Sequence, residues 1–279
     1  MKQITSRLRH AAGTLATAAA VFTISGTALV GCSKSDGYSG SQPPAQVPPS
    51  IKATVVTASG DINPKLDEFR GLIGDSLNTA PGATSGRREV NWDGVPAQFT
   101  DANPFPFDFF NSQDAAAPNG RKRGLEYQNT GTAFRVSTND FSDVDPSYDG
   151  QFNAFSGNKT FAYMGNNVTV VNFKVAGTNT NAFVKGLGIV FVDIDDDNST
   201  TIEYFNGSKS LGVYKAPKHG GDSPFSFLGV FFPEEKVTSA KIIAGNGILG
   251  TGVLDVTSGG SKDLVVMDDF LYSEPVANN

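Results

Sequence analysis

One cysteine, two histidines, one tryptophan and three methionines in 279 residues restrict the chemistry before any motif is considered. A single thiol, Cys32, excludes an intramolecular disulfide, so the folded part must hold by packing alone. Of the histidines, His10 falls in the basic N-terminal segment, leaving His219 as the only imidazole beyond it. One imidazole and no further thiol argue against a His-rich zinc site, a cysteine protease or a Ser-His-Asp triad in its usual form. Basic residues are also outnumbered, 22 against 28 acidic, for a formal charge of −6. Loss of the N-terminal segment, with Lys2, Arg7 and Arg9, would take this to −9. Such a surface argues against nucleic acid as a partner and is compatible with bound divalent cations.

No apolar run is long enough for a permanent membrane span. The best candidate, residues 11–30, is rich in alanine and is interrupted by Gly13, Thr14, Thr17, Ser25 and Gly26. It follows a basic head and precedes Leu29-Val30-Gly31-Cys32, which looks like a bacterial lipobox, so residues 1–31 are expected to be a cleaved lipoprotein signal peptide. Cys32 is then the lipidated residue and the membrane anchor. Ser33, where an aspartate would hint at inner-membrane retention, favours the outer membrane. The Ser, Gly, Pro and Gln of residues 33–50 cannot bury enough apolar surface to offset chain entropy, so residues 32–50 read as anchor and tether.

Residues 51–279 are expected to form one domain. The asparagine and proline at 63 and 64, with Leu66, Phe69, Leu72 and Ile73 on one face, predict a helix over 64–77. From residue 87 onward the pattern is strands and turns. Short β-branched or aromatic stretches recur, Asn206-Gly207 marks a hairpin, and GLGIVFV at 186–192 is a continuous apolar run suited to a central strand. About ten short strands with one helix predict an all-β fold, an antiparallel, jelly-roll-like β-sandwich.

Several segments carry a resemblance: GRREVNWDGVP (86–96), FPFDFFNS (105–112), RGLEYQNTGTAFRVS (123–137), GIVFVDIDDDNSTTIEYF (188–205), FSFLGVFF (225–232) and VVMDDFLYSEP (265–275). In this order they resemble a group of secreted bacterial β-sandwich proteins to which no activity is assigned. The last segment also resembles the closing strand of MAM-type and carbohydrate-binding jelly rolls. That likeness implies a structural calcium held by acidic residues of the strand.

Among the residues themselves, Asp193, Asp195 and Asp197 alternate in an acidic turn after an apolar strand, where their mutual repulsion invites a cation such as calcium. The loop is not an EF-hand: Asn198 stands where the glycine should be and Tyr204 at the twelfth position. A solvated acidic turn is the plainer alternative. Asp268 and Asp269 lie inside an apolar strand, so one must face inward, where a carboxylate needs a partner. Two alternatives suggest themselves, a calcium ion shared with Glu89 or Asp93, or an ion pair with Arg87 or Arg88. For a ligand such as glycan, Trp92, Tyr127, Tyr148 and Tyr204 are candidate contacts, although rings in a sandwich are more often core.

The sequence therefore predicts a non-catalytic, calcium-stabilised, lipid-anchored envelope protein that binds glycan or another envelope or matrix component. A carbohydrate-active enzyme using paired carboxylates is the alternative, and an assembly lipoprotein with a protein partner is a third reading.

Overall fold

A computed structural model describes residues 50–128 and 133–279. Cys32 and the expected leader and tether lie outside the described residues. Among the described residues the elements begin with β1 (Thr54–Ser59), α1 (Asn63–Ile73), β2 (Arg87–Val90), β3 (Leu125–Tyr127) and β4 (Phe134–Ser137). They continue with β5 (Thr160–Tyr163), β6 (Val168–Phe173), β7 (Ala182–Phe183), β8 (Gly186–Val192) and β9 (Thr201–Asn206). The last are β10 (Lys209–Lys215), β11 (Phe225–Phe231), β12 (Ser239–Ile243), β13 (Val266–Ser273) and β14 (Val276–Ala277).

The strands form an antiparallel, open β-sandwich. One sheet runs β1-β11-β8-β13-β5-β4, with β2 also paired to β13, and the other runs β10-β9-β12-β6-β3. A small β7–β14 pair lies apart from both.

The two large sheets differ in their sequence pattern for a physical reason. Strands β6, β9 and β12 alternate buried and half-buried positions because one face of their sheet remains open to solvent. Strands β8 and β13 are buried at every position because their sheet is covered twice. Leu187, Ile189 and Phe191 of β8 point into the core between the sheets. Val190 faces a second cluster built with Leu66, Phe69 and Ile73 of α1, and Val192 faces a third around Phe141, Tyr148 and Phe152.

Helix α1 sits on the sheet because two glycines make room for it. A Cβ on Gly188 or Gly229 would meet the rings of Phe69 and Phe227 at 2.6–2.9 Å. Those rings pack edge to face with centroids 5.4 Å apart. The helix is shorter than the sequence predicts. Leu66, Phe69 and Ile73 do form its buried face, but the chain leaves the helix at Gly74, whose φ of 136° no helical residue adopts. Asn63 is the first helical residue and not the cap; its backbone N–H is bound by the Asp61 carboxylate instead.

Strand β13 carries one interruption. Met267 faces Phe191 and Phe270 faces Ile189 on β8, so Asp268 and Asp269 together oppose the single residue Val190. This β-bulge breaks the alternation and lets both carboxylates leave the solvent.

Candidate metal site at one end of the sandwich

The acidic turn begins where β8 ends. Asp193 follows the last strand residue and adopts a φ of 70°, which turns the chain sharply out of the sheet. Its N–H donates to the Pro224 carbonyl, and the His219 N–H donates to the Ile194 carbonyl, so the β10–β11 loop is tied to the acidic turn. The β12–β13 loop closes the same end of the fold with Asp255 and Asp263.

These loops bring five ligating side chains together in two overlapping groups. Asp193, Asp195 and His219 form one, and Asp195, Asp255 and Asp263 form the other; within each, ligating atoms lie within 4.8 Å of one another. Asp195 belongs to both. Its Oδ1 lies 3.1 Å from Nε2 of His219, and its Oδ2 is buried with no hydrogen-bond partner. The Nδ1 of His219 is likewise buried and unpartnered.

Asp255 and Asp263 are built into the backbone of the site. Asp255 accepts from the N–H and Oγ1 of Thr257 and from the N–H of Leu264. Asp263 accepts from the N–H groups of Asp195 and Asp196, each at 3.1 Å, and from the Ser199 hydroxyl. These bonds fix the carboxylates in place, so Asp263 sets the course of the acidic turn from about seventy residues away in sequence.

Crowding shows in the acidities. Burial pushes the Asp193 carboxyl up to about 7, reinforced by the charges of Asp255 and Asp195 and opposed by a hydrogen bond from Gln151 and by His219. Burial and then contact with Asp255 push Asp195 up to about 6, with His219 opposing. Burial also raises Asp263. Negative charge has been concentrated here beyond what solvation supports. A proton or a metal ion relieves it, and the clustered carboxylates could hold such an ion.

The other sequence-predicted ligands are elsewhere. Asp197 is exposed, accepts from the Lys218 N–H and joins neither group. Glu89 is bound by Arg70 and Arg87, so it is already neutralised and is not shared with Asp268 or Asp269. Asp93 accepts from the N–H of Asn158. Asp268 and Asp269 join no group of three ligating side chains among the described residues, and neither is paired with Arg87 or Arg88. Arg88 instead makes a buried ion pair with Glu274 at 2.7 Å. Oδ2 of Asp268 accepts from the N–H groups of Phe155 and Ser156, and Oδ1 of Asp269 accepts from the Ser156 hydroxyl. Burial, followed by the charge of Asp269, pushes Asp268 up to about 9, which favours its protonated form at neutral pH.

The expected aromatic contacts are core. Trp92, Tyr127, Tyr148 and Tyr204 are all 2% exposed or less. Trp92 stacks on Phe161 at 4.2 Å with the rings 7° apart, and its Nε1 donates to the Asp268 carbonyl. The Tyr148 hydroxyl donates into the loop of residues 250–253, and that of Tyr204 to the Leu187 carbonyl. Their rings pack in the core and hold the sandwich together, and Trp92 also lines a cleft with Phe109 and Phe110.

No family model and no curated protein matches the chain. Among the described residues, no helix is long and apolar enough to cross a membrane.

Proposed function

We propose that the chain is an exported, lipid-anchored envelope protein in which calcium clamps one end of a β-sandwich, and that it binds glycan or another envelope or matrix component without turning it over. The observation that carries the cation is the position of Asp195, common to both ligating groups and left with a buried, unpartnered oxygen. An oxygen-only group of Asp195, Asp255 and Asp263 suits a hard cation such as calcium, which takes six to eight oxygens. The group containing His219 offers an imidazole and suits zinc better. The oxygen-only group is favoured because two of its carboxylates are fixed by the backbone before any ion arrives.

The anchor reading rests on Leu29-Val30-Gly31-Cys32, the basic head before it and the polar tether after it, with Ser33 favouring the outer membrane. Asp268 lies buried under the backbone of residues 155 and 156, so it is assigned a structural role.

Thermal unfolding with calcium and with chelator tests the reading. A ligand at one hundred times its dissociation constant stabilises a fold by about 2.7 kcal/mol. Calcium should raise the midpoint and zinc should do so less. An unchanged midpoint in chelator would leave the acids as hydrogen-bonded loop brackets and rule out the cation.

A further inference from the structure

Six arginines fall among the described residues, and carboxylates hold four of them. Arg70 pairs with Asp67 and Glu89, Arg87 with Glu89, Arg88 with Glu274, and Arg135 with Asp143. Arg121 and Arg123 have no carboxylate within ion-pair distance among the described residues, and both line one cleft of about 250 Å³.

Each arginine makes one carbonyl contact. Arg123 gives one guanidinium nitrogen to the Asn78 carbonyl at 2.9 Å, and Arg121 donates Nε to the Phe109 carbonyl at 3.5 Å while lying 4.4 Å over the Phe109 ring. Arg123 is half-buried, so it has lost hydration, and the nearest carboxylate, Glu274, is already paired with Arg88. Two such guanidiniums at one cleft offer the fork geometry that takes a carboxylate or phosphate in paired hydrogen bonds.

The rest of the cleft narrows the choice between those anions. Its lining includes the apolar rings of Phe109 and Phe110 and the residue Asn91, while the carboxylate of Glu89 beside it is already held by Arg70 and Arg87. A phosphate is acceptor-only and gains nothing from the aromatic rings. Sugar hydroxyls exchange hydrogen bonds with an amide, while the C–H face of a sugar ring suits aromatic edges. The volume falls below the ~300 Å³ at which drug-sized sites begin, so the cleft takes one ring and not a chain.

We propose that this cleft binds an acidic monosaccharide unit, a uronate, with its carboxylate on Arg121 and Arg123, its ring against Phe109 and Phe110 and its hydroxyls on Asn91. The inference rests on the ligand-binding part of the proposed function and is independent of the cation.

Titrating the full-length protein with glucuronate, and with glucose and inorganic phosphate in parallel, tests it by calorimetry. Saturable glucuronate binding is expected, with none for glucose and a loss of at least tenfold in Arg121→Gln and in Arg123→Gln. A further variant leaves both arginines in place. A Cβ at Gly120 meets nothing within 4 Å and its φ is not in the left-handed region, so Gly120→Leu should block the cleft without strain. It should abolish glucuronate binding at an unchanged melting midpoint. Phosphate binding without glucuronate binding would overturn the sugar assignment, as would glucuronate binding indifferent to all three substitutions. Neutral oligosaccharide binding that ignores Arg121→Gln would overturn the cleft and leave the glycan reading standing. If glucuronate does not bind, the uronate assignment falls, while the envelope-component part of the proposed function stands.

Discussion

Asp268 and Asp269 lie side by side in a bulge opposite Val190, both almost wholly buried, and Asp268 keeps its proton at neutral pH. The sign of the effect on stability follows. Below pH ~4 the carboxyl is protonated in both the folded and unfolded states. As pH rises toward 9 the unfolded chain loses this proton and the folded chain retains it, so the pair contributes less stability with each step.

Asp268→Asn should therefore be tolerated and should flatten the fall in stability between pH 5 and 9. Its amide oxygen can accept from the N–H groups of Phe155 and Ser156, as Oδ2 of Asp268 does, and the amide carries no charge at any pH. Asp268→Leu leaves those two N–H groups without an acceptor and should cost about 2–5 kcal/mol. Urea denaturation across that pH range separates the variants. A steeper pH dependence in Asp268→Asn would show that the pair is ionised in the folded state.

Arg88 and Glu274 bind β2 to the end of β13 through a pair with 0% and 2% side-chain exposure. Removing one member strands the other, so Arg88→Met or Glu274→Gln should each cost about 3–5 kcal/mol. The double substitution should cost less than the sum of the two. Equilibrium unfolding of the double-mutant cycle reads the coupling, and additive costs would show that the pair acts as two independent groups.

The fold was legible where one physical signal dominated. GLGIVFV at 186–192 reads as a central strand because a sheet covered on both faces has no polar face to reveal. VTVVNF at 168–173 alternates because its sheet is covered on one face only. The doubled Asp268-Asp269 signalled that something unusual happens in the last strand, but the two-against-one register that buries both is a property of the pairing and not of the local sequence. The candidate site was half legible. Asp193 and Asp195 announce themselves in an acidic run, whereas Asp255 and Asp263 stand alone in loop segments and join them only through the β12–β13 loop. The Asp-x-Thr spacing of Asp255 and Thr257 suggests a turn and nothing more. Trp92, Tyr127, Tyr148 and Tyr204 were only half legible: rings in a sandwich are more often core, but Trp92 and Tyr148 lie outside the strands, where no alternation shows which way a ring points.

The anchor reading makes a prediction at Cys32. Fatty-acid labelling in a Gram-negative host should mark the wild-type chain and not Cys32→Ser, which should leave the membrane fraction for the soluble exported fraction. Labelling that survives Cys32→Ser, or a membrane-bound variant, would place the attachment elsewhere.

The calcium clamp is tested most directly by calorimetric titration of the protein with calcium at pH 7.5, comparing wild type with Asp195→Asn and Asp197→Asn. Asp195 bridges both ligating groups, and Asp197 is an exposed acid two residues away that joins neither. The account predicts saturable binding to the wild type, a loss of at least tenfold in Asp195→Asn and little change in Asp197→Asn. Equal losses in the two variants would mean that calcium only screens a charged turn, and an absence of saturable binding to the wild type would contradict the clamp itself.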